Sequence, residues 1–247
     1  MIRGVFFDAG NTLLFPDYHI YREICAGLGL EVTREQVIRA EAAARSAFDN
    51  AVASSAGREV HGFWPVYYEP FYTLLGLPSH AIHEAIELTR RANDEGLGIW
   101  RIPVEGMDDL LETLSDGGFA VGIISNSDGR LEWRLDQLGI LGRFDFVVDS
   151  AVVGVSKPDP AIFRDALKRS SLPAEQTIYV GDYYEVDVVG ARSAGMLPVL
   201  FDPVSAYENV DCHVVSRIGG VLDVVKELGA EGGGNTEDQE RKRRPGR

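Results

Sequence analysis

Asp8 ends an apolar run, Val5-Phe6-Phe7, and is followed by a small polar turn, Ala9-Gly10-Asn11-Thr12, and two leucines. A buried strand with a carboxylate at its C-terminal tip puts that carboxylate where open α/β sheets build their sites. There it can ligate a metal or attack an electrophile if cations from elsewhere meet its charge; capping a turn is the other use of such a residue. Three later stretches carry chemistry of the same kind. Ile123-Ile124 runs into Ser125-Asn126-Ser127-Asp128, a hydroxyl and an amide able to hold phosphate oxygens at a helix N-terminus, although a plain N-cap reads the same way. Residues 153–160 set Lys157, the first lysine in the chain, in a loop ahead of a helix. Ile178-Tyr179-Val180 runs into Gly181-Asp182, and Asp187 follows across the strand-to-helix turn. Asp182 and Asp187 gathered beside Asp8 would repel one another unless a divalent cation and Lys157 sat among them. An all-oxygen donor set suits Mg²⁺.

The elements that must position these residues alternate from about residue 103 onward. The pattern predicts a helix over 106–114, a strand over 119–124, a further helix and a strand over 144–148. Asp159 as N-cap and Pro160 as first helical residue open a helix to about 169. Strands over 177–180 and 198–201 enclose a helix over 185–194, and a short strand over 212–215 and a helix over 221–228 close the unit. Such alternation implies right-handed crossovers and a Rossmann-like parallel sheet with helices on both faces, an α/β fold that also takes in the first strand.

Residues 16–96 read differently. Thr33 and Gln36 form a capping box before an Ala-rich amphipathic run to about 52, and Ser79, after Pro78, is the expected N-cap of a run to about 93. Between them Phe63, Trp64, Tyr67, Tyr68, Phe71 and Tyr72 recur at helical spacing, as the core of an insertion of about four helices rather than a ligand-stacking surface. The expected division is therefore an α/β core over 1–15 and 97–230, an all-helical cap over 16–96, and a disordered tail over 231–247. His80 and His83 lie three apart with no third ligand nearby, which reads as a solvated face.

The formal charge of −14 excludes a nucleic-acid surface, because phosphate binding needs a basic stripe and the only basic cluster lies in the tail. No stretch reaches the apolar length of a membrane span, and the N-terminus leads directly into the first strand without a signal-peptide pattern. A soluble, cytoplasmic protein is expected. Cys25 and Cys212 make neither a disulfide framework nor a metal cluster.

Taken in order, DxxxT at Asp8–Thr12, Ser125-Asn126, Lys157 before Pro158-Asp159-Pro160, and GDxxxxD from Gly181 to Asp187 resemble the motif set of the haloacid dehalogenase superfamily. The four motifs span the whole α/β portion, and the helical cap falls between the first and the second. The resemblance implies a Mg²⁺-dependent phosphatase of a small phosphorylated metabolite. In it Asp8 attacks phosphorus to form an aspartyl phosphate, and Ser125 and Lys157, with Asn126 alongside, hold the transferring group. It also implies that Asp8, the backbone carbonyl of Gly10 and Asp182 hold Mg²⁺, with Asp187 helping directly or through water. One residue departs from the pattern. Family phosphatases carry a second aspartate two positions after the nucleophile, where it protonates the leaving group and then activates water; here that position is Gly10. General acid–base catalysis contributes about 10²–10⁴ in rate, so two further readings stay open: a weak or inactive member that binds a phosphorylated ligand or a partner, and a 2-haloacid dehalogenase. The dehalogenase reading resembles this chain less at Gly181-Asp182, and the absence of lysine from the cap disfavours a phosphonate hydrolase.

Overall fold

The computed structural model describes residues 1–54 and 63–231. The proposed tail thus lies, from residue 232 on, outside the described residues, as does the Phe63 side chain. The strands are β1 (Gly4–Phe7), β2 (Leu14–Pro16), β3 (Trp100–Pro103), β4 (Ala120–Ser125), β5 (Phe146–Asp149), β6 (Thr177–Gly181), β7 (Leu197–Phe201) and β8 (His213–Val215). The helices are α1 (Tyr18–Gly27), α2 (Arg34–Ser54), α3 (Phe63–Leu75), α4 (Ser79–Asp94), α5 (Met107–Asp116), α6 (Leu131–Gln137), α7 (Ser150–Val153), α8 (Pro160–Ser170), α9 (Gly190–Ser193) and α10 (Val221–Glu231).

Six strands form a parallel sheet in the order β5-β4-β1-β6-β7-β8. Side chains alternate between two cores, as a pleat with both faces covered requires. Val5, Phe7, Ile178 and Val180 enter one apolar cluster with α5 and α10, while Phe6 and Tyr179 enter the other with α8. The chain leaves β1 toward β4 on one side and returns to β6 on the other, so the tip of β1 is a topological switch point. Register makes the tips converge. Phe7 pairs with both Ile123 and Val180, which puts Asp8 level with Ile124 and Gly181, and Ser125 and Asp182 one residue beyond.

Helices α1–α4 enclose a core of their own, in which Tyr21, Tyr67, Tyr68, Phe71 and Tyr72 are buried and meet edge to face or tilted. Each such pair adds about 0.5–1.5 kcal/mol beyond its buried area. Thr33 and Gln36 do form the capping box: the Thr33 N–H donates to Gln36 Oε1 at 2.8 Å and the Gln36 N–H to Thr33 Oγ1 at 3.2 Å. His80 and His83 are exposed.

Two expectations need correction, and one pair of strands is new. Ser79 is the first residue of α4 and not its cap; Pro78, extended at φ −59° and ψ 140°, holds that place and its carbonyl accepts from the Ala81 N–H. A two-stranded antiparallel ribbon, β2 with β3, joins core to helices and gave no sequence signal, because three or four residues show no periodicity. The segment read as a helix from Glu185 begins instead as a π-helix, Tyr184–Val189, and only then becomes α9. Among the described residues no helix is long and apolar enough to cross a membrane.

Candidate active site

Asp8, buried at the tip of β1, faces three groups brought by other elements. Lys157, from the loop before α8, donates to Asp8 Oδ1 at 2.6 Å, to Asp187 Oδ1 at 2.7 Å and to the Tyr179 hydroxyl at 2.8 Å. An ammonium has three donors, so this one is fully used. The Tyr179 hydroxyl in turn donates to the Ile124 carbonyl at 2.9 Å, tying β6 to β4 beneath the site. Ser125, buried at the tip of β4, pulls the Asp8 carboxyl down against its burial. Asn126 is placed otherwise than expected of a phosphate contact: its Nδ2 donates to the Lys157 carbonyl at 3.0 Å and its Oδ1 accepts from the Lys157 N–H at 2.8 Å. The amide thus clasps the lysine loop and fixes the ammonium's position.

Asp187 reaches the site because of two local features. A Cβ built on Gly181 would lie 2.3 Å from Asp187 Cγ, so only glycine lets this carboxylate lie against the strand end. The π-turn adds the residue that turns Asp187 back toward β6, where Oδ2 accepts from the Tyr183 N–H at 3.0 Å.

Asp8, Asp182 and Asp187 each offer a carboxylate oxygen, and these oxygens lie within 4.8 Å of one another. Burial pushes the Asp8 carboxyl above its usual range, and the charge of Asp187 adds to that against the pull of Lys157. Asp182 is raised further, by complete burial and by its two carboxylate neighbours, with Arg45 opposing. Burial disfavours the Lys157 ammonium, yet Asp187 and Asp8 outweigh it and hold the lysine above its usual value. Asp182 Oδ1 is buried and has no hydrogen-bond partner among the described residues. A crowded all-oxygen donor set with one orphaned lone pair fits a hard divalent cation.

Over this cluster α2 lays a polar face that no motif in the sequence announces. Glu41, Arg45 and Asp49 are buried and spaced by four, hence on one side of the helix. Arg45 Nη1 lies 3.4 Å from Asp182 Oδ2. Asp49 accepts from the Tyr184 N–H at 3.0 Å, the Glu185 N–H at 2.8 Å and the Tyr207 hydroxyl at 3.1 Å, and so caps the π-helix from across the interface. Phe48 meets Tyr183 edge to face at 5.4 Å. The signal was available: an acid, a base and an acid four apart on an Ala-rich helix mark a face, but which face turns inward is not written in one helix.

Gly10 sits without a positive φ, whereas the next residue, Asn11, adopts φ 54°. A Cβ at position 10 would meet only the Trp100 ring, at an ordinary 3.7 Å.

A parallel sheet, a buried carboxylate at its switch point and a lysine shared between two acids define a Rossmann-like hydrolase with a carboxylate-centred site. A family model described as haloacid dehalogenase-like hydrolase matches residues 2–195, and the chain belongs to that family. A Danio rerio protein, haloacid dehalogenase-like hydrolase domain-containing protein 3, is 29% identical over 204 residues, covering 79% of this chain and 83% of that one. A glyceraldehyde 3-phosphate phosphatase of Methanopyrus kandleri is 34% identical over 135 residues, covering 51% of this chain and 58% of that one. Among solved structures, the HAD-hydrolase YfnB of Bacillus subtilis, bound to magnesium, superposes with a TM-score of 0.65 at 18% identity, over 91% of this chain and 98% of that one.

Proposed function

We propose that this hydrolase is a Mg²⁺-dependent phosphatase of a small phosphorylated metabolite, with Asp8 as its nucleophile and the helical layer over residues 16–96 as its cap. The observation that carries the reading is the buried trio Asp8, Asp182 and Asp187 around the Lys157 ammonium. Asp8, the Gly10 carbonyl and Asp182 would hold the metal, with Asp187 supporting. Bound there, Mg²⁺ supplies positive charge where the phosphoryl oxygens gather.

The remaining chemistry belongs to the chain. Lys157, held in place by Asn126 and Tyr179, keeps Asp8 oriented and exchanges one of its three bonds for a phosphoryl oxygen. Ser125 donates to a phosphoryl oxygen from the tip of β4. One Asp8 oxygen attacks phosphorus, the ester oxygen departs, and water then cleaves the aspartyl phosphate to return Asp8 and release phosphate. The phosphatase named from M. kandleri supports the choice of ester. Gly10 favours the second reading, a member that binds a phosphorylated ligand and turns it over weakly, because no carboxylate stands two residues after Asp8.

The test is phosphate release from a panel of phosphate esters with Mg²⁺ or with a chelator. Metal-dependent turnover that vanishes in Asp8→Asn, with ³²P from a labelled ester trapped on Asp8 when a single turnover is quenched, is the expected result. Undiminished turnover by Asp8→Asn, or none by the wild type on any ester, overturns the phosphatase reading.

A further inference from the structure

The turn after Asp8 lacks a carboxylate of its own, yet it is not without one. Glu41 of α2 is buried to 3% exposure, with Asn11 of this turn among its neighbours. Its carboxylate takes a hydrogen bond from Tyr18 of α1 at 3.0 Å on Oε2 and one from Tyr67 of α3 at 3.5 Å on Oε1, and it meets the side chain of Asn11, the neighbour of Gly10. One helical turn along the same face, Arg45 contacts Asp182. The face of α2 therefore runs from Asp182 to the Gly10-Asn11 turn.

Orphaned polar atoms mark the same place. Of six buried side-chain polar atoms without a partner among the described residues, four belong to the turn after Asp8, to Arg45 and to Asp182: Asn11 Oδ1, Thr12 Oγ1, Arg45 Nε and Asp182 Oδ1. Buried polar groups cost about 1–3 kcal/mol each when unpaired, so such a concentration marks a surface built to meet a polar ligand. Gly10 leaves room beside it, because nothing but the Trp100 ring borders a Cβ there.

We infer that Glu41, reaching in from the cap, is the acid–base catalyst that replaces the missing aspartate at position 10. The inference rests on the phosphatase reading and adds to it. In the first step the Asp8–phosphorus bond forms and the phosphorus–ester oxygen bond breaks, and the Glu41 carboxyl proton passes to that oxygen, leaving an alcohol and a Glu41 carboxylate. In the second step Glu41 takes a proton from water as the water oxygen attacks phosphorus. The Asp8–phosphorus bond breaks, inorganic phosphate forms, and Glu41 is protonated again. Burial raises the Glu41 carboxyl above its usual range, with Arg45, Tyr18, Asn11 and Tyr67 pulling the other way, which favours the acid form that the first step uses. A carboxylate donated by the cap also couples proton transfer to cap closure, since Glu41 is at the turn only while α2 lies over the core.

Four proteins decide it: wild type, Glu41→Gln, Gly10→Asp, and the double variant. Glutamine keeps the size of Glu41 and can still bond both tyrosine hydroxyls, accepting from one and donating to the other, but cannot carry the proton. Glu41→Gln should lower kcat on alkyl phosphates by about 10²–10⁴ while lowering it less than about tenfold on aryl phosphates with acidic phenols, which need no proton. Adding Gly10→Asp to Glu41→Gln should restore alkyl phosphate turnover. A merely structural Glu41 would lower both substrate classes alike and would not be rescued by an acid at position 10; either result overturns the inference. An active wild type whose leaving-group dependence is unchanged in Glu41→Gln overturns it too and leaves the phosphatase reading standing. A wild type inert on every ester while folded and Mg²⁺-bound removes both.

Discussion

Replacing Lys157 with methionine removes one charge from the most crowded part of the molecule while nearly keeping the volume. The ammonium lies 2.6 Å from Asp8, 2.7 Å from Asp187 and 2.8 Å from the Tyr179 hydroxyl, and its side chain is 3% exposed. Removing one partner of a buried ion pair leaves the other charge uncompensated and costs about 3–5 kcal/mol. In a chain of this size each kcal/mol shifts the melting temperature by about 2–4 °C, so Lys157→Met should melt about 6–20 °C below the wild type at pH 7 in chelator-treated buffer. The loss should depend on pH. Asp8 and Asp182 already lie above their ordinary 3.8, and without the ammonium they rise further. A carboxyl raised in the folded state gives its full stability below the unfolded value and loses it as pH climbs through the folded one. The gap between variant and wild type should therefore be narrow near pH 4 and widen toward pH 7. Differential scanning calorimetry at four pH values measures it. A variant that melts within about 2 °C of the wild type at pH 7, or a gap that does not change with pH, would refute the view that Lys157 neutralises this cluster.

Asp182→Ala should abolish the single Mg²⁺ site expected by calorimetry in the wild type, and retained binding would move the metal elsewhere. Gly181→Ala drives a methyl group into the Asp187 carboxylate, 2.3 Å away before relaxation, and should cost about 1–3 kcal/mol in denaturant unfolding; an unchanged midpoint would mean that Asp187 is free to move. Asp49 is pushed up to about 6 by burial, against the backbone N–H of Glu185 and the Tyr207 hydroxyl. Its stabilising contribution is therefore complete below about 3.8 and falls as pH rises through 6, by roughly 3 kcal/mol at most at 1.36 kcal/mol per pH unit. Unfolding of wild type against Asp49→Asn between pH 4 and 7 should show that decline, and a flat difference would contradict it.

By itself the sequence determined which residues stand at the strand tips. Asp8, Ser125, Lys157 and Asp182 follow apolar runs or precede helices in an order only a parallel α/β sheet satisfies, because periods of 2 and 3.6 are local properties of the chain. The aromatic run from Tyr67 to Tyr72 likewise announced a helical core of its own. The tertiary structure alone decided the rest, because contacts between residues far apart leave no local pattern. Tyr179 reads as one more apolar strand residue until parallel register sets its hydroxyl beneath Lys157. Asn126 reads as a phosphate contact until the Lys157 loop, 31 residues on, uses its amide. Asp187 fits a regular helix until Gly181 and a π-turn bring it against the strand end. Nothing local assigns a side to Glu41, Arg45 and Asp49, and only the docking of α2 over the sheet turns them inward, where charges four residues apart meet Asp182 and the turn beside Gly10.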